Sequence, residues 1–272
     1  MTKIQGSALP AALRSLTAPA VFEVIGDVPG FTLRNPPRHV VTVSGGVFRG
    51  HVRLDGVHGL TFVKATFAGP DTATAHIGVI AQRCTGLAFK DCAFTGLQKG
   101  VVFDLCDTFT VDLCEFSRMS SDGVNVAASG HGRITRSQFH DFVQFDLLAH
   151  PDAIQLWSRA TSPPVADIVI SDNKIVGNMQ GIGGFNHITA GVDDGGFDRI
   201  TIERNSVEVS FANGIAINAA RGLVLRDNAV KTLPGAKWQA RISVIQCTNV
   251  TRSGNTVAAY GGKPGLVEPP AP

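Results

Sequence analysis

The segment His150-Pro-Asp-Ala-Ile-Gln-Leu-Trp-Ser-Arg159 gathers several chemically capable side chains into ten positions. A histidine titrates near neutral pH and can take up or release a proton, so His150 is a candidate general acid or base, with Asp152 orienting it or binding substrate. A second aspartate, Asp122, stands thirty positions earlier in a similar local context, Ser-Asp-Gly-Val-Asn-Val. Two carboxylates held close together either share a proton, which raises one pKa, or hold a cation between them. Asp122, His150 and Asp152 are therefore the catalytic candidates. Trp157 and Phe185 offer flat apolar faces of the kind on which a sugar ring can lie. Asn125, Gln155, Arg159, Gln180, His187, Asn213 and Asn218 complete a set of candidate substrate-binding residues. No set of metal ligands is specified by the sequence. A calcium ion is a candidate cofactor beside Asp122 and Asp152 or at Asp193-Asp194.

These residues are far apart along the chain, so a repeating element must bring them together. A ten-residue phrase recurs with apolar side chains at its first, third and eighth positions. Copies begin at Val41, Leu60, Leu87, Phe109, Ile168, Ile200 and Leu223, with degenerate copies at Gly132 and Val250. The intervals are 19, 27, 22, 23, 36, 32, 23 and 27 residues, which is the length of one coil of a β-solenoid with variable loops. The eighth positions read Phe48, Phe67, Phe94, Phe116 and Phe139, then Ile175, Val207, Val230 and Val257, so one large apolar side chain per coil forms an internal stack. The sixth positions end in Asn173, Asn205, Asn228 and Asn255. Asparagines so repeated can hydrogen-bond their equivalents above and below, as amide ladders do.

A further strand follows each phrase. In it Val101 and Phe103, Val124 and Val126, Ile154 and Leu156, and Ile215 and Ile217 point inward by alternation. The residues just before these strands then form one outward column, Asp122, Asp152, Gln180 and Asn213. The next column is Asn125, Gln155, Gly183 and Ala216, and the one beyond is Ala127, Trp157, Phe185 and Asn218. Neighbouring coils lie ~4.8 Å apart, so a polar groove across the coils is expected. The two longest intervals carry the largest loops, one holding His140, Asp141, Asp146 and His150, the other His187 and Gly191-Val-Asp-Asp-Gly-Gly196, and loops of this kind are where function collects.

Composition narrows the alternatives. At 272 residues, 44% hydrophobic and 17% charged, the chain can bury a sizeable core and is not disordered. A net charge of +2 creates no field that would draw it to nucleic acid or to an anionic membrane. No run approaches the ~18 apolar residues of a membrane span, and the first twenty residues lack the apolar centre of a secretory signal peptide. Five cysteines without a Cys-x-x-Cys pair describe neither a disulfide framework nor a zinc site, and buried thiols are expected.

The repeat resembles that of the right-handed parallel β-helix family, which includes pectate lyases, polygalacturonases, alginate-modifying enzymes and phage tail spikes. The resemblance covers roughly residues 25 to 260 and implies an all-β, single-stranded right-handed parallel β-helix of about nine coils. It also implies a short N-terminal capping helix, for which Leu9-Pro-Ala-Ala-Leu-Arg-Ser-Leu16 is suited. The expected organisation is an N-terminal segment 1–24 with that helix, a β-helix domain 25–260, and a proline-rich tail 261–272 that adds no further coil. The catalytic signatures of the family are mostly missing. Of the polygalacturonase elements only Gly130-His131-Gly132 is present, and His150-Pro151-Asp152 is only distantly similar to the Asp-Pro-His-Asp of alginate epimerases. A lyase would also need a cation near its substrate carboxylate, for which Lys99, Arg159 and Arg221 are candidates.

The resemblance implies a carbohydrate-binding, polysaccharide-degrading protein acting as lyase, epimerase or glycosidase on an acidic glycan. The alternative is a non-catalytic phage tail or tail-spike component that adheres to a host surface. A polysaccharide partner and an extracellular or virion-associated location follow from either, and a homotrimer follows from the second.

Overall fold

The structure is a computed structural model describing residues 1–70, 76–143, 150–160, 162–258 and 266–267. From Leu60 onward each coil contributes three short strands that pair in parallel with their equivalents in the neighbouring coils, and one coil adds a short antiparallel pair, Ile188–Thr189 with Val192–Asp193. One representative coil runs Thr85–Lys90, Ala93–Thr95 and Lys99–Asp104, and the next runs Asp107–Asp112, Glu115–Ser117 and Val124–Ala127. The result is a parallel solenoid with three faces, called here first, second and third in chain order.

About 11 turns are present rather than nine. The additional winding comes from strands that do not carry the ten-residue phrase. Thr2–Gln5 pairs with the long strand Ala20–Arg34, which pairs in turn with Val41–Asp55. Register shifts after Val24 and Pro29 interrupt that second pairing, which is why the period is illegible there. The short helix occupies Leu9–Arg14, with Pro10 in its first turn and Leu9 and Leu13 buried against the first coils. At the other end, Leu266–Val267 pairs with Ile242 and Ser243, so the tail does extend the ladder of the third face.

The bend between first and second faces is nearly invariant. One residue adopts a left-handed conformation, at Lys64, Asp91, Leu113, Arg136, Asp172, Arg204 and Asp227, and the residue after it is buried or half-buried. In the C-terminal coils that residue is asparagine. Asn173 Nδ2 donates to Asn205 Oδ1 at 2.9 Å, Asn205 to Asn228 at 2.9 Å and Asn228 to Asn255 at 2.9 Å. Each Oδ1 also accepts the backbone N–H of the asparagine one coil earlier. This satisfies polar groups that a tight, desolvated bend would otherwise leave unpaired. Cys92, Cys114 and Ser137 occupy the same position in earlier coils. The thiols of Cys84, Cys92, Cys106 and Cys114 are buried and donate to backbone carbonyls, and Cys247 is half-buried.

Inside the coil the expected phenylalanine column is continuous. Ring centroids are 4.8 Å apart for Phe48 and Phe67, 4.7 Å for Phe67 and Phe94, 4.6 Å for Phe94 and Phe116, and 4.7 Å for Phe116 and Phe139. The degenerate copy at Gly132 has a steric origin. A Cβ there would fall 2.1 Å from Phe109 Cζ, so the ring of the coil before occupies the volume that a side chain would need.

Candidate functional site

The third face carries the site. Its strands Lys99–Asp104, Val124–Ala127, Asp152–Trp157, Gln180–Phe185 and Asn213–Asn218 lie side by side. Asn125 pairs with Gln155, Gln155 with Gly183 and Gly183 with Ala216, while Ala127, Trp157, Phe185 and Asn218 form the adjoining column. Val124, Val126, Ile154, Leu156, Ile215 and Ile217 are buried, so alternation assigned the faces correctly.

The column read as an open groove is, however, mostly below the surface. Asp122, Asn125, Asp152 and Gln180 are all buried, and Asn213 is half-buried. Most of their polar atoms are paired with one another, but Asn125 Oδ1 and Asp152 Oδ1 are buried without a partner. Asp122 is saturated: Lys99 Nζ lies 2.5 Å from its Oδ2, Asn125 Nδ2 donates to the same oxygen at 3.1 Å, and the Asp152 backbone N–H donates to Oδ1 at 3.2 Å. The cation at Asp122 is the Lys99 ammonium, which comes from the coil before, on the opposite side of Asp122 from the coil of Asp152. Among the described residues no group of three or more His, Cys, Asp or Glu is placed to hold a metal ion. Lys99 could have been placed from its spacing, because Lys99-Gly100 precedes its strand just as Asp122-Gly123 and Asp152-Ala153 precede theirs.

Asp152 is arranged differently. Gln155 Nε2 donates to its Oδ2 at 3.2 Å and His150 Nδ1 approaches that oxygen to 3.4 Å. Its Oδ1 is buried and accepts nothing. Burial pushes the Asp152 carboxyl above the ordinary range, His150 pulls it back, and the Asp122 charge pushes it up again. The His150 imidazole, whose side chain is 51% exposed, is raised above its ordinary value by its contact with Asp152, against a smaller lowering from burial. Both groups hold a proton more tightly than their free counterparts. The pair therefore stores one beside a cavity at pH values where an isolated histidine has lost it. A Cβ at Gly183 would fall 3.4 Å from Asp152 Oδ1, so the bare glycine leaves space next to that oxygen.

The cavity measures about 520 Å3 and is lined by His150, Gln155, Trp157, Gln180, Phe185, His187 and Asn213, together with Leu156 and Ser158. Trp157 is 42% exposed, and its indole N–H donates to Gln155 Oε1 at 2.7 Å, the same oxygen that accepts Asn125 Nδ2 at 2.9 Å. On its other side a smaller cavity of about 190 Å3 is bounded by Lys99, Asp104, Asn125, Trp157 and Arg159. Arg159 is paired with Asp104, and Lys99 Nζ stands 5.9 Å from the Trp157 ring centroid. One tryptophan thus divides a cleft that crosses the coils. Asn213 Nδ2 donates to Gln180 Oε1 at 2.8 Å and holds the C-terminal edge.

Three expectations are placed elsewhere. Asn218 turns away and donates to the Asn186 carbonyl at 3.2 Å, so it does not line the cavity. Asp193 and Asp194 are engaged within the chain, the first by Arg221 at 2.6 Å and the second by the His187 backbone N–H at 3.2 Å. The same ion pair removes Arg221 from the set of cations available to a substrate. Asp146 lies outside the described residues.

A family model described as a right handed beta helix region matches residues 50–257. The chain belongs to the right-handed β-helix family. Among solved structures, this β-helix is similar to the Dettilon tailspike protein at 12% identity and a TM-score of 0.56, over 90% of this chain and 57% of that one. It is similar to PfbA, a surface adhesin of Streptococcus pneumoniae, at 11% identity and a TM-score of 0.60, over 88% of this chain and 71% of the other. It is also similar to a pectate lyase from Bacillus sp. N165, solved with trigalacturonate, at 12% identity and a TM-score of 0.50, over 90% and 67% of the respective chains. The chain spans little more than half the length of the tailspike, and at these identities the likeness is one of fold. No curated protein matches the sequence. Among the described residues no helix is long and apolar enough to cross a membrane.

Proposed function

We propose that this β-helix binds an acidic polysaccharide across its third face and cleaves or epimerises it with the His150–Asp152 pair. The observation that carries this reading is the pair itself. A buried carboxylate with one unpartnered oxygen orients a half-exposed imidazole at the wall of a cavity that also presents Trp157 and Phe185. In this reading His150 moves the proton, Asp152 holds the ring and its charge, and Lys99 and Asn125 keep Asp122 in place beneath them. Trp157 supplies the stacking surface, with its edge fixed by Gln155. The tailspike, adhesin and pectate lyase likenesses support an extracellular or virion-associated setting. A binding protein without turnover is the second reading, favoured by the saturation of Asp122, which leaves one carboxylate rather than two available for chemistry.

Two measurements separate these. Across a panel of pectate, alginate and bacterial capsule oligosaccharides, Trp157→Ala is expected to weaken binding by ~1 to 3 kcal/mol, as for a stacked aromatic anchor, without loss of fold. Unchanged affinity would remove the platform. In a proton-detected titration, His150 is expected to lose its proton above the ordinary histidine range, and Asp152→Asn is expected to move that midpoint down, because the largest cause of the upward shift is removed. A His150 midpoint indifferent to Asp152 would dissolve the pair.

A further inference from the structure

Asn213 is the most C-terminal residue lining the cavity beside Trp157, and further concave surface lies close to it. The corners between second and third faces enclose a separate cavity of about 370 Å3, lined by Asn178, Ser210, Phe211, Leu233, Lys237 and Trp238 among others. Asn178 precedes Gln180 by two residues and Ser210 precedes Asn213 by three, and Gln180 and Asn213 both line the larger cavity. Three residues of chain reach at most about 10 Å, so on two successive coils a residue lining one cavity lies within that reach of a residue lining the other. Trp238 is 52% exposed, more than Trp157. Lys237 Nζ stands 4.8 Å from its ring centroid.

The charge setting differs from that of the other cations along the cleft. Lys99 and Arg159 are neutralised by Asp122 and Asp104. None of the residues lining the Trp238 cavity is acidic, so Lys237 faces it without a carboxylate among them. An exposed indole keeps a flat apolar surface in water, which is unfavourable unless something covers it. A cation held over one face leaves the other for a sugar ring and places a positive charge beside that ring.

We propose that the Trp238–Lys237 cavity is a second subsite of the same cleft, taking a carboxylate-bearing sugar residue of the polysaccharide whose neighbouring residues lie over Trp157. This rests on the glycan reading of the third face. The occupant is an acidic glycan chain, because the cavity lies within a few residues of that cleft and adds an aromatic face and a cation with no carboxylate among its lining residues. Two linked subsites act on one chain as a bivalent receptor, so the second engagement is intramolecular and rewards only oligomers long enough to reach both.

The test is calorimetric titration of the whole chain with trimers and octamers of oligogalacturonate and oligoalginate, using wild type, Trp238→Ala, Lys237→Gln and Trp157→Ala. Trp238→Ala is expected to lower octamer affinity about tenfold and to leave trimer affinity unchanged. Lys237→Gln is expected to weaken the acidic octamers but not their methyl-esterified forms. Circular dichroism and sedimentation check fold and mass for each variant. If Trp238→Ala binds octamers as wild type does while Trp157→Ala does not, the second subsite is refuted and the glycan reading stands. If Trp157→Ala is indifferent at both lengths, or wild type binds no oligomer, the underlying reading falls and the subsite with it. A change in sedimenting mass on Trp238→Ala would assign the surface to contact between copies and overturn the proposal.

Discussion

Asp152→Asn is expected to lower turnover of any glycan that this protein cleaves by about 10²- to 10⁴-fold, the range carried by a positioned acid or base. Asparagine has nearly the shape of aspartate and can still accept from Gln155 Nε2, so the architecture around it should persist. What it lacks is the charge that holds the imidazolium, and the pH profile should report that loss. Removing the carboxylate lowers the His150 pKa, so the limb of the profile governed by the imidazole shifts to lower pH as the rate falls. Stability should move the opposite way to activity. The folded-state pKa of Asp152 is raised by burial, so its contribution to stability declines as pH rises through the range between the ordinary carboxylate value and the raised one. Asparagine does not ionise and is spared that decline, so the variant is expected to melt no lower than wild type at neutral pH. An increase in ultraviolet absorbance as unsaturated ends form would follow an elimination, and reducing-end release would follow hydrolysis. A variant that keeps full turnover by both assays would exclude the pair from the chemistry.

The second large effect concerns the core. Phe116→Ala is expected to cost ~3 to 5 kcal/mol of unfolding free energy, measured by denaturant titration, the usual range for deleting a fully buried phenylalanine. The ring is wholly inaccessible and lies between Phe94 and Phe139 with interplanar angles of 2° and 4°. A Cβ built on Gly100 would fall 2.7 Å from the ring, which shows how closely the third-face strand of the preceding coil packs against it. Deletion would therefore leave a cavity in a stack that cannot collapse along its axis, because the coil spacing is set by backbone hydrogen bonds. Phe116→Leu should cost markedly less. A loss below about 1 kcal/mol for the alanine variant would mean that the column is not the packed spine described above.

The legibility of the site followed the legibility of the repeat. Phe94 and Phe116 were recognisable as vertical neighbours because the apolar period of one coil recurred intact. Once the register was known, Gln155 had to sit over Asn125, and Trp157 beside Phe185. The coils before Val41 escaped this reading because bulges near Val24 and Pro29 shift the pairing and erase the phrase. Trp238 escaped it because it stands in a long corner rather than on a strand, where no period applies.

Alternation and coil length, both local properties of the backbone, were enough for the amino-acid order to determine the solenoid, the inward faces, the asparagine ladder and the columns that hold Asp152 and Trp157. Which of those outward residues reach solvent was decided only by the folded chain. Burial depends on what neighbouring coils and corners place above a side chain, so the spacing that sets Lys99 one coil before Asp122 does not by itself announce the ion pair. Nor does anything at Gly183 announce the space it leaves beside Asp152. Side-chain direction is a consequence of the strand, but accessibility, ion pairing and the raised proton affinity of His150 and Asp152 are properties of the assembled surface.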